Sequence, residues 1–332
     1  MRLDAMLWVI VAPPSPADAV EAPPGEAVGF GWAPATCGEV LQGHLADGRH
    51  IVVSLPIALG AGAEATLRFG TPSSPRRGEI ALAGGGPKAA TAASRTLAVL
   101  GRDLRSGDGA DLRLRIDDDL PVGRGLGTST ADIVAIIRAV AGAMGATLAG
   151  TEIHRLACSI EASDGVAFDG LAAVDRDAAA PIALWPTPPQ LRVLAAVPST
   201  RFETRSGGEN AVGAPVDDLF EALGAAVAAG SARGIAAVAT ESGRRHRGTA
   251  PSEVFEALLL LADDLGALGV ARAHTGTAAG LLFSMDEPGR AAMAAALDAL
   301  SSAPPAGMAP LRLLTTSTPV PTSAVDTERC TP

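Results

Sequence analysis

The stretch Pro121-Val-Gly-Arg-Gly-Leu-Gly-Thr-Ser-Thr-Ala-Asp132 alternates three glycines with other residues and runs directly into a hydroxyl cluster. Gly123, Gly125 and Gly127 carry no Cβ, so the backbone is free to take left-handed or tight conformations and to turn its N–H groups toward an anion. From Asp132 onward Ile133, Val134, Ile136, Ile137, Val140, Ala141 and Met144 recur at three- and four-residue intervals, which predicts a helix with one face in the core. The positive end of that helix reinforces an anion site. Thr128, Ser129 and Thr130 fall in the cap region, where a hydroxyl accepts a bond from an orphan N–H or coordinates a cation, and Gly142 and Gly145 are placed to end the helix. With 38 glycines in 332 residues, a plain turn before a core helix is the competing reading. Two other glycine loops are excluded. No lysine completes a Gly-x4-Gly-Lys-Ser/Thr loop, and Gly123-x-Gly125-x-Gly127 has the wrong period for Gly-x-Gly-x-x-Gly.

Composition narrows the class. Hydrophobic residues make up 48% of the chain and charged residues 19%, which describes a globular protein long enough for two domains with real cores. A net charge of −10 leaves no basic footprint for nucleic acid, so any polyanion must be met by local donors. Cys37, Cys158 and Cys330 are odd in number and unrelated in spacing, which predicts neither a disulfide framework nor a zinc site and fits a reducing cytoplasm. Met6-Leu-Trp-Val-Ile-Val-Ala12 imitates a short signal peptide, but Asp4 sits in the leading segment and the apolar run is at the lower limit, so no membrane association is expected.

The chain divides into a Pro- and Ala-rich leader over 1–27, a first domain over 28–186 ending at Pro186-Thr-Pro-Pro189, a second over 187–316, and a polar tail over 317–332. Gly70 to Gly78 reads as a hairpin loop, Ala89 to Leu100 as a helix, and Leu112, Leu114 and Ile116 as a strand. Helices are expected over Thr151 to Ser159, Val216 to Ala228, Ala232 to Ser242 and, as one long amphipathic element, Pro251 to Leu268. Strands and helices interleave without a constant βα repeat, so the fold class is α+β.

Pro121 to Ala131 resembles the Pro-x-x-x-Gly-Leu-Gly-Ser-Ser-Ala signature of the galactokinase, homoserine, mevalonate and phosphomevalonate (GHMP) kinase superfamily, with threonines as variants at 128 and 130. An N-terminal segment read as a strand-loop, Ala33-Pro-Ala-Thr-Cys-Gly-Glu-Val-Leu-Gln-Gly43, and a late glycine motif, Ala273-His-Thr-Gly-Thr-Ala-Ala-Gly-Leu-Leu-Phe283, flank it in the order that superfamily has. Within it, Ala35 to Gly43, Thr128 to Ile133, Ser159-Ile-Glu-Ala-Ser-Asp164 and His274-Thr-Gly-Thr277 are most similar to segments of the L-threonine kinases of propanediol utilization and cobalamin biosynthesis. The resemblance implies a two-domain GHMP kinase fold, with an N-terminal domain like domain 2 of ribosomal protein S5, a ferredoxin-like C-terminal domain and a site in the cleft between them. It implies ATP and Mg2+ as cofactors and a small-molecule hydroxyl substrate, L-threonine first. Another hydroxylated amino acid or small alcohol, or a nucleotide-binding regulator without catalysis, is the alternative. Sequence leaves monomer or homodimer open.

The resemblance also distributes roles. Pro121, Gly123, Arg124, Gly125, Leu126, Gly127, Thr128, Ser129 and Thr130 become the ATP-binding segment, and Ser129 a magnesium ligand. Glu161 and Asp164, three apart at a helix end, read on spacing alone as a solvated carboxylate pair or as two groups converging on a cation. The superfamily pattern makes Glu161 the metal carboxylate, with Glu152 as its rival, and Asp164 the base that accepts the substrate hydroxyl proton. Cys37, Gly38, Glu39 and Gln42, with His274, Thr275, Gly276 and Thr277 on the late glycine loop, become the substrate-binding set. Arg244-Arg-His-Arg247 is either a carboxylate clamp or a solvated helix end.

Overall fold

Two long strands, β1 (Glu26–His44) and β2 (His50–Phe69), pair antiparallel and run through the middle of a ten-stranded sheet. In this computed structural model the structure describes residues 25–69, 80–84, 87–101, 110–117, 123–198, 214–246, 253–273, 276–305 and 311–319. The remaining elements in chain order are β3 (Ile80–Ala83), α1 (Pro87–Val99), β4 (Ala110–Asp117), α2 (Thr128–Ala143), α3 (Gly150–Ile160), β5 (Leu171–Asp175), β6 (Ala180–Trp185) and β7 (Arg192–Pro198). They continue with α4 (Asp217–Ala228), α5 (Ala232–Arg245), α6 (Glu253–Leu261), β8 (Gly269–Arg272), β9 (Ala279–Phe283), α7 (Glu287–Ser302) and β10 (Leu311–Ser317). The sheet order is β10-β7-β9-β8-β1-β2-β4-β3, with β5 added to β2 and β6 to β5. The class is α+β as expected: every pair is antiparallel except β3 with β4.

The helices cover the sheet where its residues are apolar. Along β7, Val193, Ala195 and Val197 enter one core cluster with α4 and α5, while Leu194 and Ala196 enter another with α6 and α7. This is the period of two that puts alternate side chains on opposite faces. Helices α1, α2 and α3 pack with the start of β1, the end of β2 and β4. Helix α2 lies almost on the backbone of β1: a Cβ on Gly29 would stand 2.1 Å from Ala143 N, and one on Gly31 2.0 Å from Ala135 O. Only glycine permits that approach, and it brings the second half of α2, Ala135 to Ala143, close to the sheet.

Four expectations are corrected. The Gly70–Gly78 loop lies outside the described residues, but its flanks do not form a hairpin, because β4 inserts between β2 and β3. The long helix over Pro251 to Leu268 is replaced by the nine-residue α6; Gly266, at φ 68, turns the chain as Ala267 N–H donates to the Ala262 carbonyl. Helix α2 begins at Thr128, four residues before Asp132, with Gly127 as a left-handed N-cap, so the three hydroxyls lie in its first turn and none of them caps it. The presumed strand-loop at Ala33 to Gly43 is continuous strand with register shifts between Pro34 and Ala35, Thr36 and Glu39, and Glu39 and Leu41. Pro34 withholds a ladder donor and so does Pro56 opposite Thr36, which weakens the pairing there.

Gly145, at φ 64, closes α2 as expected, whereas Gly142 lies inside it. Strand β1 starts at Glu26, inside the stretch read as leader, and residues 1–24 and 320–332 lie outside the described residues. Pro186 to Pro189 separates β6 from β7. One core cluster joins Val40, Ile51 and Leu55 on the first side of that segment to Leu191, Val193 and Leu223 on the second. Among the described residues no helix is long and apolar enough to cross a membrane.

Candidate active site

The glycine cradle takes the conformation its composition calls for: φ is 72 at Gly123, 84 at Gly125 and 62 at Gly127. It is held from three sides. Thr36, in the irregular part of β1, donates its N–H to the Leu126 carbonyl at 2.9 Å. Arg124 donates through Nη1 to the Pro198 carbonyl at 3.0 Å, at the end of β7. The Arg124 carbonyl accepts from Ala278 N–H at 3.0 Å, so the late glycine loop is bonded to the cradle through the main chain. Pro121, His274 and Thr275 lie outside the described residues. Thr277 is buried, and its Oγ1 has no hydrogen-bond partner among the described residues.

Of the three hydroxyls that open α2, Thr128 and Thr130 are buried, while Ser129 is half-buried and accepts from Lys88 Nζ at 3.2 Å. The same ammonium is ion-paired with Glu161 Oε2 at the end of α3. The other carboxylate oxygen, Glu161 Oε1, is buried without a hydrogen-bond partner among the described residues. A buried carboxylate oxygen with no donor, beside a serine hydroxyl and a cation, suits a hard divalent ion. Magnesium usually takes one or two carboxylates and completes its shell with water and phosphate oxygens, so Ser129 and Glu161 fit the ion the family pattern calls for. Glu152, the rival carboxylate, is exposed at the opposite end of α3 and accepts the Ala149 N–H at 2.8 Å, which satisfies a main-chain donor at the helix start.

Asp164 follows on the segment between α3 and β5. Its carboxyl group lies against the cradle: a Cβ on Gly127 would be 2.8 Å from Asp164 Oδ2 and 2.5 Å from Thr36 Oγ1. Burial pushes the Asp164 carboxyl above the ordinary carboxylate range; the charge of Arg176 and the nearby Ser54 hydroxyl pull it back, and the charge of Glu161 adds to the rise. Behind it, the fully buried His154 hydrogen-bonds the Asp164 main chain, tilts against Phe168 with ring centroids 5.4 Å apart and places Nε2 3.5 Å from Cys158 Sγ. Burial lowers the His154 pKa, which favours neutral imidazole.

Glu39, in β1, stands opposite Ser54 of β2 and Arg272 of β8. Registered neighbours share a sheet face, so a polar row, Arg272, Glu39 and Ser54, crosses the sheet to Asp164. Glu39 and Gln42 are buried, and the Gln42 N–H donates to Ser242 Oγ at 3.0 Å. Cys37 is fully buried, and a Cβ on Gly280 would stand 2.7 Å from its Sγ. Burial and the charge of Glu39 push its thiol up to about 12. Arg245 pairs with Asp218 and Glu241, the behaviour of a solvated helix end.

Lys88, Arg176, Ser54 and His154 were not singled out from sequence. Lys88 follows Pro87 at a helix start, and Arg176 lies in the turn after β5, where its N–H donates to the His50 carbonyl at 2.9 Å. Nothing in their spacing links them to Glu161 or Asp164; the packing of α1 on α3 and of β5 on β2 does.

Residues 89–174, which hold the cradle, Ser129, Glu161 and Asp164, match the GHMP kinases N terminal domain. In sequence the chain is similar to an L-threonine kinase of Citrobacter freundii, 26% identical over 257 residues that cover 75% of this chain and 84% of that protein. It is also similar to an L-threonine kinase of Salmonella typhimurium, 29% identical over 180 residues, 52% of this chain and 60% of that one. In fold it is similar to a homoserine kinase of Cytophaga hutchinsonii, at a TM-score of 0.59 and 17% identity over 91% of this chain and 97% of that one. An L. major mevalonate kinase solved with R-mevalonate gives a TM-score of 0.60 at 16% identity over 88% and 95%. The chain therefore carries a GHMP kinase N-terminal domain within a GHMP kinase fold. The two relatives in sequence named above are L-threonine kinases.

Proposed function

We propose that this chain is an ATP- and Mg2+-dependent kinase that phosphorylates the hydroxyl of L-threonine to give O-phospho-L-threonine, serving cobalamin biosynthesis in the cytoplasm. The observation that carries this reading is the meeting of cradle, Thr36 and Asp164 at Gly127, with Ser129 and Glu161 beside it. Phosphoryl transfer needs little covalent help from the protein; it needs alignment and a place for developing charge.

In this reading the left-handed glycines and the start of α2 present N–H groups to the triphosphate. Ser129 and Glu161 would hold the magnesium ion, which when bound neutralises phosphate charge. Asp164 would accept the acceptor hydroxyl's proton at its carboxylate, and its raised pKa makes it a better base than an ordinary aspartate. The charge of Arg176 favours the ionised form of that carboxylate against the effect of burial. Glu39, buried in β1, offers a negative charge to the ammonium of an amino acid. Cys37, Gly38, Gln42 and the late loop through Gly276 and Thr277 complete the proposed substrate wall, and the division at residue 187 separates the proposed nucleotide domain from the domain that carries that loop.

The purified protein with ATP and Mg2+, challenged with threonine, serine, homoserine and other small alcohols while ADP release is followed, tests this. Threonine is expected to give the highest kcat/KM. Turnover of a different alcohol with none of threonine would remove the substrate and leave the kinase. ATP binding without turnover of any acceptor would point to a regulator, against which the joint presence of Ser129, Glu161 and Asp164 speaks.

A further inference from the structure

Lys88 is the one cation that the structure brings onto both groups of the proposed metal pair, on hydrogen-bond geometry, among the described residues. We infer that its ammonium is a built-in occupant of the cation position: it bridges the Ser129 hydroxyl and the Glu161 carboxylate in the nucleotide-free protein, and a divalent ion must displace it to bind. This rests on the reading of Ser129 and Glu161 as metal ligands.

Three observations carry it. The two contacts of Nζ, 3.2 Å to Ser129 Oγ and the ion pair with Glu161 Oε2, put the ammonium on the same two oxygens an octahedral cation would take. The occupant fits incompletely, because Glu161 Oε1 remains buried without a hydrogen-bond partner among the described residues, and a single positive charge satisfies one carboxylate oxygen where a divalent ion would meet a larger share of that charge. The occupant is also free to leave. The Lys88 side chain is 54% exposed on a flexible four-carbon stem, whereas its helix is anchored by Arg95 Nη1 donating to the Ser159 carbonyl at the end of α3. Displacement thus moves a side chain and leaves α1 in place.

The consequence is a coupling between metal and nucleotide. Without nucleotide, a metal ion must break the Lys88 pair, which lowers its apparent affinity. With a triphosphate in the cradle that Ser129 adjoins, the displaced ammonium would pair with phosphate oxygens, so the same residue that opposes the bare ion would support the metal–nucleotide complex.

Mn2+ serves as the probe, with free ion measured by electron paramagnetic resonance against the full-length nucleotide-free protein, its Lys88→Met, Lys88→Arg and Glu161→Gln variants and the Lys88→Met, Glu161→Gln double variant. Lys88→Met should bind Mn2+ about two- to fivefold more tightly than the unaltered chain, the range expected for releasing a solvent-exposed ion pair. Lys88→Arg, which keeps the charge, should stay near the unaltered value. With a non-hydrolysable ATP analogue present, the advantage of Lys88→Met should vanish or reverse. Equal or weaker Mn2+ binding by Lys88→Met in the absence of nucleotide, while Glu161→Gln weakens it, would overturn the occupant role and leave the metal site standing. Mn2+ affinity untouched by Glu161→Gln in either background would overturn both.

Discussion

Gly276 lies so close to Gly125 that a Cβ on Gly276 would stand 2.4 Å from the Gly125 Cα and 2.7 Å from its nitrogen. The late glycine loop therefore meets the cradle backbone to backbone, beside the bond from Ala278 N–H to the Arg124 carbonyl. No flexible side-chain end stands between them to give way. Gly276→Ala is expected to push the two loops apart and to weaken ATP binding at least tenfold, about 1.4 kcal/mol. Titration with a fluorescent ATP analogue measures this, and an unchanged dissociation constant would separate the late loop from the nucleotide site.

Gly127→Ala combines a left-handed φ of 62 with contacts at 2.5 Å to Thr36 Oγ1 and 2.8 Å to Asp164 Oδ2. Because the displaced group is the proposed base, turnover should fall by about a hundredfold, the scale of a 1 Å misplacement of a reacting group. ATP affinity should change far less. Steady-state kinetics beside ATP binding separates the two, and a loss confined to ATP affinity would argue that Asp164 tolerates the shift.

Asp164→Asn should lower turnover about 10²- to 10⁴-fold with ATP affinity nearly unchanged. Its stability effect has a definite sign. The folded-state pKa of Asp164 is raised above its unfolded value, so the stability contributed by the neutral form is fully present below the unfolded pKa and is lost as pH rises through the folded one. Replacing the carboxylate by an amide removes that loss. The variant's thermal midpoint should exceed that of the unaltered chain at pH 7 to 8, and the gap should close toward pH 4, as followed by thermal unfolding at each pH.

Arg176→Gln removes a charge that lowers the Asp164 pKa. The acidic limb of the pH–rate profile should move to higher pH, because less Asp164 is ionised at a given pH. The same substitution in an Asp164→Asn background should move nothing. A limb that stays in place in the single variant would show that another group sets it.

Cys37, with its thiol pushed up to about 12, should resist iodoacetamide in the folded protein at pH 8 and react on unfolding. Mass spectrometry of peptides labelled before and after denaturation reports this directly. Rapid native labelling of Cys37 would show that the strand carrying it opens in solution.

The parts of the site that were legible in sequence are local ones. Three glycines in alternation specified their own left-handed φ values, and apolar residues at helical spacing specified α2 to within four residues of its start. The start itself was misplaced, because Thr128, Ser129 and Thr130 have good capping chemistry and Gly127 was judged by its freedom instead of by the cap it forms. The end of α6 was misplaced for a similar reason: apolar spacing continues to Leu268, but Gly266 turns the chain. The choice between Glu161 and Glu152 needed three dimensions. Glu152 lies in the first turn of α3 and Glu161 just past its last residue, and only the packing brings Glu161 beside Lys88 and Ser129 while Glu152 bonds its own helix start.

By itself, then, the sequence determined an α+β chain with a glycine cradle feeding a buried helix and two carboxylates at the end of the next, since backbone sterics and hydrophobic period act over a few residues. The tertiary structure alone decided which groups surround those carboxylates. Lys88 reaches Glu161 because α1 is anchored on α3, Ser54 and Arg176 reach Asp164 because β5 adds to β2, and Gly276 reaches Gly125 because β8 and β9 carry the late loop back to the cradle. Charges and close backbone contacts of this kind depend on distance through space, and no spacing along the chain encodes that distance.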